Sequence, residues 1–129
     1  MRDDAWHVTN LAHRFARLVD RADLSEVGSL LTDDAGWRMT QVSWKGRDEV
    51  LAGLAEMRRL GHAGPQTGTR HVITNLEIDL DGDHAVARSY FQLVSGGMPA
   101  QITVAGAYAD AFQRTPDGRW LLADREVTA

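Results

Sequence analysis

The sequence contains no cysteine, no run of basic residues and no apolar segment of membrane-spanning length. The absence of cysteine excludes disulfides and thiolate metal sites, although it leaves the redox compartment open. Nucleic acid is not an expected partner, because the net charge is −4 and phosphate binding needs a concentrated basic face. The first residues lead into an amphipathic segment, so neither a signal peptide nor a membrane partner is expected, and the predicted location is the cytoplasm.

Known catalytic and cofactor motifs are also missing. The sequence has no serine-centred elbow, no glycine-rich phosphate loop and no dinucleotide fingerprint. Its five histidines show no metal-ligand spacing, and the pattern His-x-x-x-His does not occur. We therefore expect neither a metal ion nor any other cofactor.

The composition is that of a globular protein, with 43% hydrophobic and 25% charged residues. A length of 129 residues predicts one domain that covers residues 1–129. A chain of this size buries about two-thirds of the surface that it exposes when unfolded, which is enough for one hydrophobic core.

Three helices are predicted in the first half of the chain. Apolar residues recur at spacings of three and four over residues 5–22, which indicates an amphipathic helix. A capping-box pattern predicts a short second helix over residues 24–31, which residues 32–36 end. Acidic residues at one end and arginines at the other predict a third helix over residues 48–60, which Gly61 ends.

Strand patterns follow, and together with the helices they predict the fold class. A loop rich in glycine precedes the main group of strands. The order of three helices and then an antiparallel meander of three or four strands predicts an α+β fold with the helices on one face of a curved sheet. The strands of the meander are predicted over residues 72–80, 85–94, 102–114 and 119–127, and residues 37–42, between the second and third helices, are predicted to be a strand or extended segment.

His71 and Asp20 are the candidate catalytic residues. His71 stands between a flexible loop and an apolar strand, where its ring is well placed to face a cavity. Asp20 lies near the C-terminal end of the first helix, at the edge of the apolar stripe. The helix dipole destabilises a carboxylate at this end by about 0.3–1 kcal/mol. A carboxylate that orients an imidazole makes it a general base. The alternative is that His71 is a hydrogen-bonded histidine at the edge of a strand and that Asp20 is an exposed acid at the end of a helix.

Two more polar residues are candidates for substrate binding. Asn75 shares the strand parity of His71, so it could donate to a developing oxyanion or bond a neighbouring loop backbone. Arg125 is predicted to lie on the same face of its strand as Leu121, Ala123 and Val127. A charge among apolar neighbours needs a carboxylate or a ligand anion as its partner. A structural ion pair of Arg125 with Asp20 or Glu126 is the alternative to a role in binding.

Large apolar side chains are expected to divide between the core and the lining of a pocket. A pocket lined in this way favours a small hydrophobic or aromatic molecule as the partner. The candidates are Trp37, Met39, Trp44, Tyr90, Phe91, Tyr108 and Phe112.

Several short motifs occur in an order that is typical of one family. They are Asp20-Arg21-Ala22-Asp23-Leu24, Gly46-Arg47-Asp48, Arg70-His71, Gly106-Ala107-Tyr108-Ala109-Asp110 and Asp117-Gly118-Arg119-Trp120. Over nearly its whole length the chain resembles the SnoaL-like family, which has the cystatin-like α+β cone fold of nuclear transport factor, ketosteroid isomerase and scytalone dehydratase. The resemblance implies three helices packed on a curved antiparallel or mixed sheet that forms a cone-shaped pocket.

Within that superfamily the chain most resembles the branch of scytalone dehydratase and hexachlorocyclohexane dehydrochlorinase, which use a His–Asp base. By position, the resemblance assigns the base to His71, the orienting carboxylate to Asp20 and a cavity arginine to Arg125. The chain has Val19 where the dehydratase has a tyrosine, and it lacks the second active-site histidine of that enzyme at residues 95–97. The resemblance therefore implies that His71 abstracts a proton, but it does not imply dehydration of the substrate that scytalone dehydratase uses.

The predicted function is that of a cofactor-independent lyase or isomerase of the dehydratase, dehydrohalogenase or cyclase type. Its substrate would be a small hydrophobic or polycyclic molecule held in an enclosed pocket. The alternative is a non-catalytic ligand-binding or assembly subunit, like the small subunit of ring-hydroxylating dioxygenases. Small residues alternate along residues 102–114, which predicts a homodimer or homotrimer formed through the sheet.

Overall fold

The computed structural model describes residues 3–129 as three helices and six strands. Met1 and Arg2, at the start of the segment from which a cytoplasmic location is predicted, lie outside the described residues. No helix within residues 3–129 is both long enough and apolar enough to cross a membrane. In chain order the elements are α1 (Asp4–Arg21), α2 (Leu24–Gly28), β1 (Leu31–Met39), β2 (Val42–Lys45), α3 (Arg47–Arg59), β3 (Arg70–Asp81), β4 (His84–Val94), β5 (Ile102–Arg114) and β6 (Trp120–Thr128).

The six strands form one curved, mixed sheet in the order β2-β1-β6-β5-β4-β3. Strand β1 runs parallel to β6, and every other neighbouring pair is antiparallel. Helix α1 packs against β3 and β6, while α3 packs against β1 and β2. The fold is therefore the predicted α+β arrangement of helices on a curved sheet, and the sheet is not closed into a barrel.

Two strands lie between α2 and α3, where one strand or extended segment over residues 37–42 was predicted. Residues 32–36 were expected to end the second helix, but they belong to β1, which also pairs with β6. The register between β1 and β6 shifts between Leu31 and Gly36, so the strand accommodates polar residues that resemble a turn in the sequence. Strand β2 was not predicted, and it pairs with β1 after a two-residue turn in which Gln41 has φ 64°.

The second helix is shorter than predicted. It ends at Gly28, where residues 24–31 were expected to be helical, because Leu31 already belongs to β1. The side chain of Asp23 makes no capping hydrogen bond, so the capping-box pattern marks the position of the helix without forming the predicted cap.

The ends of the two longer helices follow from their sequences. The Asp3 side chain accepts a hydrogen bond from the backbone N–H of Trp6, which caps α1. At the end of α3, Gly61 has φ +80° and its N–H donates to the carbonyl of Arg58. The N–H of His62 donates to the carbonyl of Met57, which completes a Schellman motif and places His62 directly after the helix.

The core lies between the helices and the inner face of the sheet. The apolar stripe predicted for α1 faces this layer, and burial of one such large side chain stabilises the fold by about 1.5–3 kcal/mol. Phe112, a candidate for the pocket lining, is part of this core. The most deeply buried large side chains are Phe15, Phe112, Leu31, Leu122, Val8, Val27 and Val50.

Candidate functional site

A cavity of about 700 Å³ lies between the inner face of the sheet and helices α1 and α3. Its volume is within the range of sites that bind small molecules. His71, His62, Tyr108 and Arg125 are the ionisable side chains in its lining. Most of the other lining residues are apolar, among them Phe15, Val19, Trp37, Met39, Trp44, Leu54, Met57, Phe91 and Leu93.

The structure brings Asp20 and His71 together at the wall of this cavity. Nδ1 of His71 lies 2.6 Å from Oδ1 of Asp20, and the backbone N–H of His71 donates to Oδ2 at 2.9 Å. A carboxylate only accepts hydrogen bonds, so Nδ1 is the donor, and in the neutral imidazole Nε2 then has a free lone pair. The two side chains are 15% and 7% exposed, so little water competes for this contact.

Two arginines offset the unfavourable position of Asp20 at the end of α1. Arg58, from α3, donates to the carbonyl of Val19 at 2.9 Å. Nη1 of Arg21 donates to the carbonyl of Asp20 and to that of Thr69, each at 3.0 Å. Cations at the last carbonyls of a helix compensate its dipole. The contact of Arg21 with Thr69 also ties the end of α1 to the residue that precedes β3, where His71 lies.

Arg125 forms a buried ion pair with Asp110, its cross-strand neighbour on β5. Nε and Nη2 of Arg125 donate to the two carboxylate oxygens at 2.8 and 3.0 Å, and the side chains are 5% and 2% exposed. The predicted alternative partners, Asp20 and Glu126, were wrong. Burial lowers the pKa of Arg125, but the charge of Asp110 and its hydrogen bonds outweigh burial, so the pKa is raised.

Tyr108 contacts Arg125 of this ion pair and lines the same cavity. The guanidinium carbon of Arg125 is 3.7 Å from the centroid of the Tyr108 ring, which is a cation–π contact. The ring of Tyr108 also stacks on that of Phe91, with centroids 4.4 Å apart. Burial raises the pKa of Tyr108 to about 12, although the charge of Arg125 opposes this shift.

Trp37, Met39 and Trp44 line the cavity, as the sequence predicts. The centroids of Trp37 and Trp44 are 6.0 Å apart, so the two indoles form one wall. Nε1 of Trp37 is buried without a hydrogen-bond partner in the described part of the chain. Gly53 on α3 leaves room for Trp44, because a Cβ at this position would overlap the indole ring.

The structure places Asn75 and Tyr90 away from the cavity. Asn75 has φ 55° and lies in a β-bulge between Thr74 and Glu77. The bulge breaks the alternation of side chains between the two faces, so Asn75 does not share the face of His71 as predicted. Its side chain lies with that of Tyr90 in a groove on the outer face of the sheet. Tyr90 is 58% exposed, so neither residue faces the cavity that His71 lines.

Sequence reasoning missed Asp110 as the partner of Arg125 and His62 as part of the cavity lining. Asp110 occurs in one of the family motifs, but only the register of β5 and β6 pairs it with Arg125. His62 follows a predicted helix end, and a Schellman motif at Gly61 is the signal that could have fixed its position.

A family model for the SnoaL-like domain matches residues 2–126. The chain belongs to the SnoaL-like family. Among curated proteins, none matches this SnoaL-like protein.

Solved structures with the same fold share low sequence identity with this SnoaL-like protein. A protein with a cystatin-like fold from Nostoc punctiforme is 23% identical, with a TM-score of 0.84 over 96% of this chain and 89% of that one. A protein from Catenulispora acidiphila, solved in complex with S-DNPA, is 22% identical, with a TM-score of 0.82 over 95% and 90% of the two chains. A scytalone dehydratase-like protein from Novosphingobium aromaticivorans is 20% identical, with a TM-score of 0.78 over 96% and 82%. These likenesses establish the cystatin-like fold.

Proposed function

We propose that this SnoaL-like protein is a cofactor-independent lyase or isomerase that removes a proton from a small hydrophobic molecule. His71 is the general base, and Asp20 orients it. The candidate reactions are dehydration, dehydrohalogenation, a double-bond shift and cyclisation, since each begins with the loss of an acidic C–H proton.

The contact between His71 and Asp20 carries this proposal. Because Nδ1 donates to the carboxylate, Nε2 is the nitrogen that can accept a proton from a molecule in the cavity. Asp20 also stabilises the imidazolium that forms, as the carboxylate does in other His–Asp pairs. General base catalysis of this kind contributes typically about 10²–10⁴-fold to a rate.

The lining of the cavity supports a hydrophobic or aromatic substrate. Apolar side chains supply most of the wall, among them the rings of Phe15, Trp37, Trp44 and Phe91, and Arg125 is the fixed positive charge in it. Nη1 of Arg125 takes no part in the pair with Asp110, so we assign it to a carbonyl or anionic oxygen of the substrate. That a protein of this fold from Catenulispora acidiphila was solved with a small molecule agrees with this use of the fold.

A nitrobenzisoxazole tests the base without knowledge of the natural substrate. Loss of its ring C–H proton breaks the N–O bond and releases a coloured phenolate, so a base alone suffices. The wild-type protein is expected to accelerate this opening above free imidazole at equal concentration. His71→Gln is expected to remove the acceleration, and His84→Gln, in an exposed hairpin, is the matched control.

A non-catalytic ligand-binding subunit is the other outcome of this experiment. It is the conclusion if the wild-type protein does not open the ring although aromatic ketones change the fluorescence of Trp37 and Trp44. Loss of the fluorescence response as well would rule out both functions.

We further propose that two or three copies associate through the outer face of the sheet. That face exposes Val86 and Tyr90 at 55% and 58%, and their cross-strand neighbours are the small residues Ala111 and Ala107. Sedimentation at micromolar concentration is expected to show the oligomer, and Tyr90→Glu is expected to shift it to monomer with unchanged circular dichroism. A wild-type protein that is only monomeric would disprove this assembly.

A further inference from the structure

The carboxylate of Asp20 depends on the backbone of α1 for its position. Within residues 3–129, His71 is the only residue that donates hydrogen bonds to this carboxylate. Asp20 belongs to the last turn of α1, and the last carbonyls of a helix have no partner inside the helix. The groups that bind these carbonyls from elsewhere therefore control where Asp20 meets His71.

Arg58 reaches this turn from the last turn of α3. Its Nη2 donates to the carbonyl of Val19 at 2.9 Å and, at 3.4 Å, to that of Leu18. In the described part of the chain the guanidinium has no carboxylate partner, so it is free to serve the helix end. Cationic donors at the last carbonyls complete the hydrogen bonds of a helix and compensate its dipole. Arg58 thus fixes the residue directly before Asp20.

The segment over residues 60–69, between α3 and β3, holds Arg58 on its other side. The carbonyl of Arg58 accepts from the N–H of Gly61 at 3.0 Å and from Nε2 of Gln66 at 2.7 Å. Gly64 is buried, and a Cβ at this position would lie 2.6 Å from Cγ and 3.2 Å from Nε of Arg58. The backbone of the segment therefore packs directly on the Arg58 side chain and limits its movement.

Arg21 is the other arginine at this helix end. Its Nη1 donates to the carbonyls of Asp20 and Thr69, each at 3.0 Å. The side chain of Arg21 is exposed to solvent, whereas that of Arg58 is partly buried. Because water weakens the attraction between a charge and a carbonyl dipole, the contact of Arg58 is the stronger constraint on the turn.

We propose that Arg58 is a positioning residue for His71, because it fixes the last turn of α1 and so holds the Asp20 carboxylate on Nδ1 of the ring. Arg58 does not line the cavity, so it acts through Asp20 and not on a bound molecule. Without that hydrogen bond the proton of a neutral imidazole can move to Nε2, which then no longer accepts a proton. The effect on the rate rests on the proposed function, whereas the orientation of the ring does not.

The tautomer of His71 tests this role without a reaction. It is read from the ¹⁵N chemical shifts of the ring at a pH where imidazole is neutral. The wild-type ring is expected to carry its proton on Nδ1, and Arg58→Met is expected to move the proton toward Nε2. The ring-opening rate with the nitrobenzisoxazole is expected to fall by about 10²-fold, the cost of a misplacement by about 1 Å. Arg59→Met is the matched control, since Arg59 is exposed and pairs with Glu56 on its own helix.

Gly64→Ala displaces Arg58 without removing any of its donors. Its new Cβ would overlap the Arg58 side chain, so the tautomer and the rate are expected to change in the same direction as in Arg58→Met. Gly118→Ala is the control for backbone strain. Gly64 and Gly118 both have positive φ, at +111° and +92°, but a Cβ at Gly118 meets no described atom within 4 Å.

The outcomes separate this role from simple stabilisation and from the proposed function. A changed tautomer in Arg58→Met and Gly64→Ala, with both controls like the wild type, supports the role of Arg58. A lower unfolding free energy in urea with an unchanged tautomer and rate makes Arg58 structural only and overturns the inference, while the base stands. If Arg58→Met does not fold, Gly64→Ala decides by the same criteria. A wild-type protein with its proton on Nδ1 that opens no ring refutes the proposed function, and the tautomer in the variants still decides the role of Arg58.

Discussion

Asp20 holds His71 through both of its carboxylate oxygens. Oδ1 lies 2.6 Å from Nδ1 of the ring, and Oδ2 accepts the backbone N–H at 2.9 Å. The ring and the start of β3 are thus oriented by the same group on α1. A change at Asp20 therefore acts on the chemistry through the ring and on the fold through the backbone.

Asp20→Asn is expected to reduce the ring-opening rate by about 10²-fold or more. The Asn oxygen can still accept the hydrogen bond from the backbone N–H of His71. The NH₂ group would then face Nδ1 of the ring and favour the wrong tautomer, with the proton on Nε2. The measurement is the rate with the nitrobenzisoxazole, alongside a urea unfolding curve. Asp23→Asn is the control, since the Asp23 side chain is exposed and makes no capping hydrogen bond. A rate equal to that of the wild type would exclude Asp20 from the mechanism.

Asp110→Ala is expected to lower the free energy of unfolding by about 3–5 kcal/mol. Removal of one partner leaves the charge of Arg125 buried without a counter-ion. The double variant Asp110→Leu/Arg125→Met removes both charges, so it is expected to be more stable than Asp110→Ala. Urea unfolding measures all three proteins. If the double variant is the least stable, burial of an unpaired charge is not the cause.

Gly53→Ala is expected to destabilise the protein, although Ala normally favours a helix over Gly by about 1 kcal/mol. The reason is that the new Cβ would overlap the indole ring of Trp44. In a Trp44→Ala background the same substitution is expected to become stabilising, because the ring is absent. Thermal unfolding of the wild type, Gly53→Ala, Trp44→Ala and the double variant measures this double-mutant cycle. The same sign in both backgrounds would mean that Trp44 does not limit position 53.

Stability is expected to fall as the pH rises above 10, because of Tyr108. Its pKa is raised from 10.0 to about 12 by burial, so in this window the unfolded chain binds fewer protons than the folded one. The contribution of Tyr108 is complete below pH 10 and is lost by about 1.4 kcal/mol per pH unit up to the folded value. Tyr90→Phe leaves Tyr108 as the single tyrosine, and its phenolate absorbance is expected to appear near pH 12.

Tyr90→Phe/Tyr108→Phe is the control for that pH dependence. Its unfolding free energy is expected to vary less between pH 10 and 12 than that of Tyr90→Phe. Equal slopes in the two proteins would show that Tyr108 is not the group responsible.

Local periodicity was enough to predict the elements that bury one continuous face. The apolar stripe of α1 and the predicted strand over residues 102–114 agree with the structure because both patterns repeat at the spacing of their own backbone. Residues 32–36 were expected to end the second helix, but they belong to β1. Leu31 before this segment and Gly36 at its end pair with β6, which follows them by some 90 positions, so no local pattern could show it.

The sequence alone determined the fold class and placed a histidine at the start of a strand and an acid near the end of a helix. Only the tertiary structure decided which groups meet. Packing of α1 against β3 brings Asp20 to His71 across 51 positions, and the register of β5 and β6 sets Asp110 beside Arg125. A single bulge at Asn75 moves that side chain to the outer face, because each extra residue in a strand reverses its parity. Pairing and register depend on contacts between distant segments, and no local pattern encodes them.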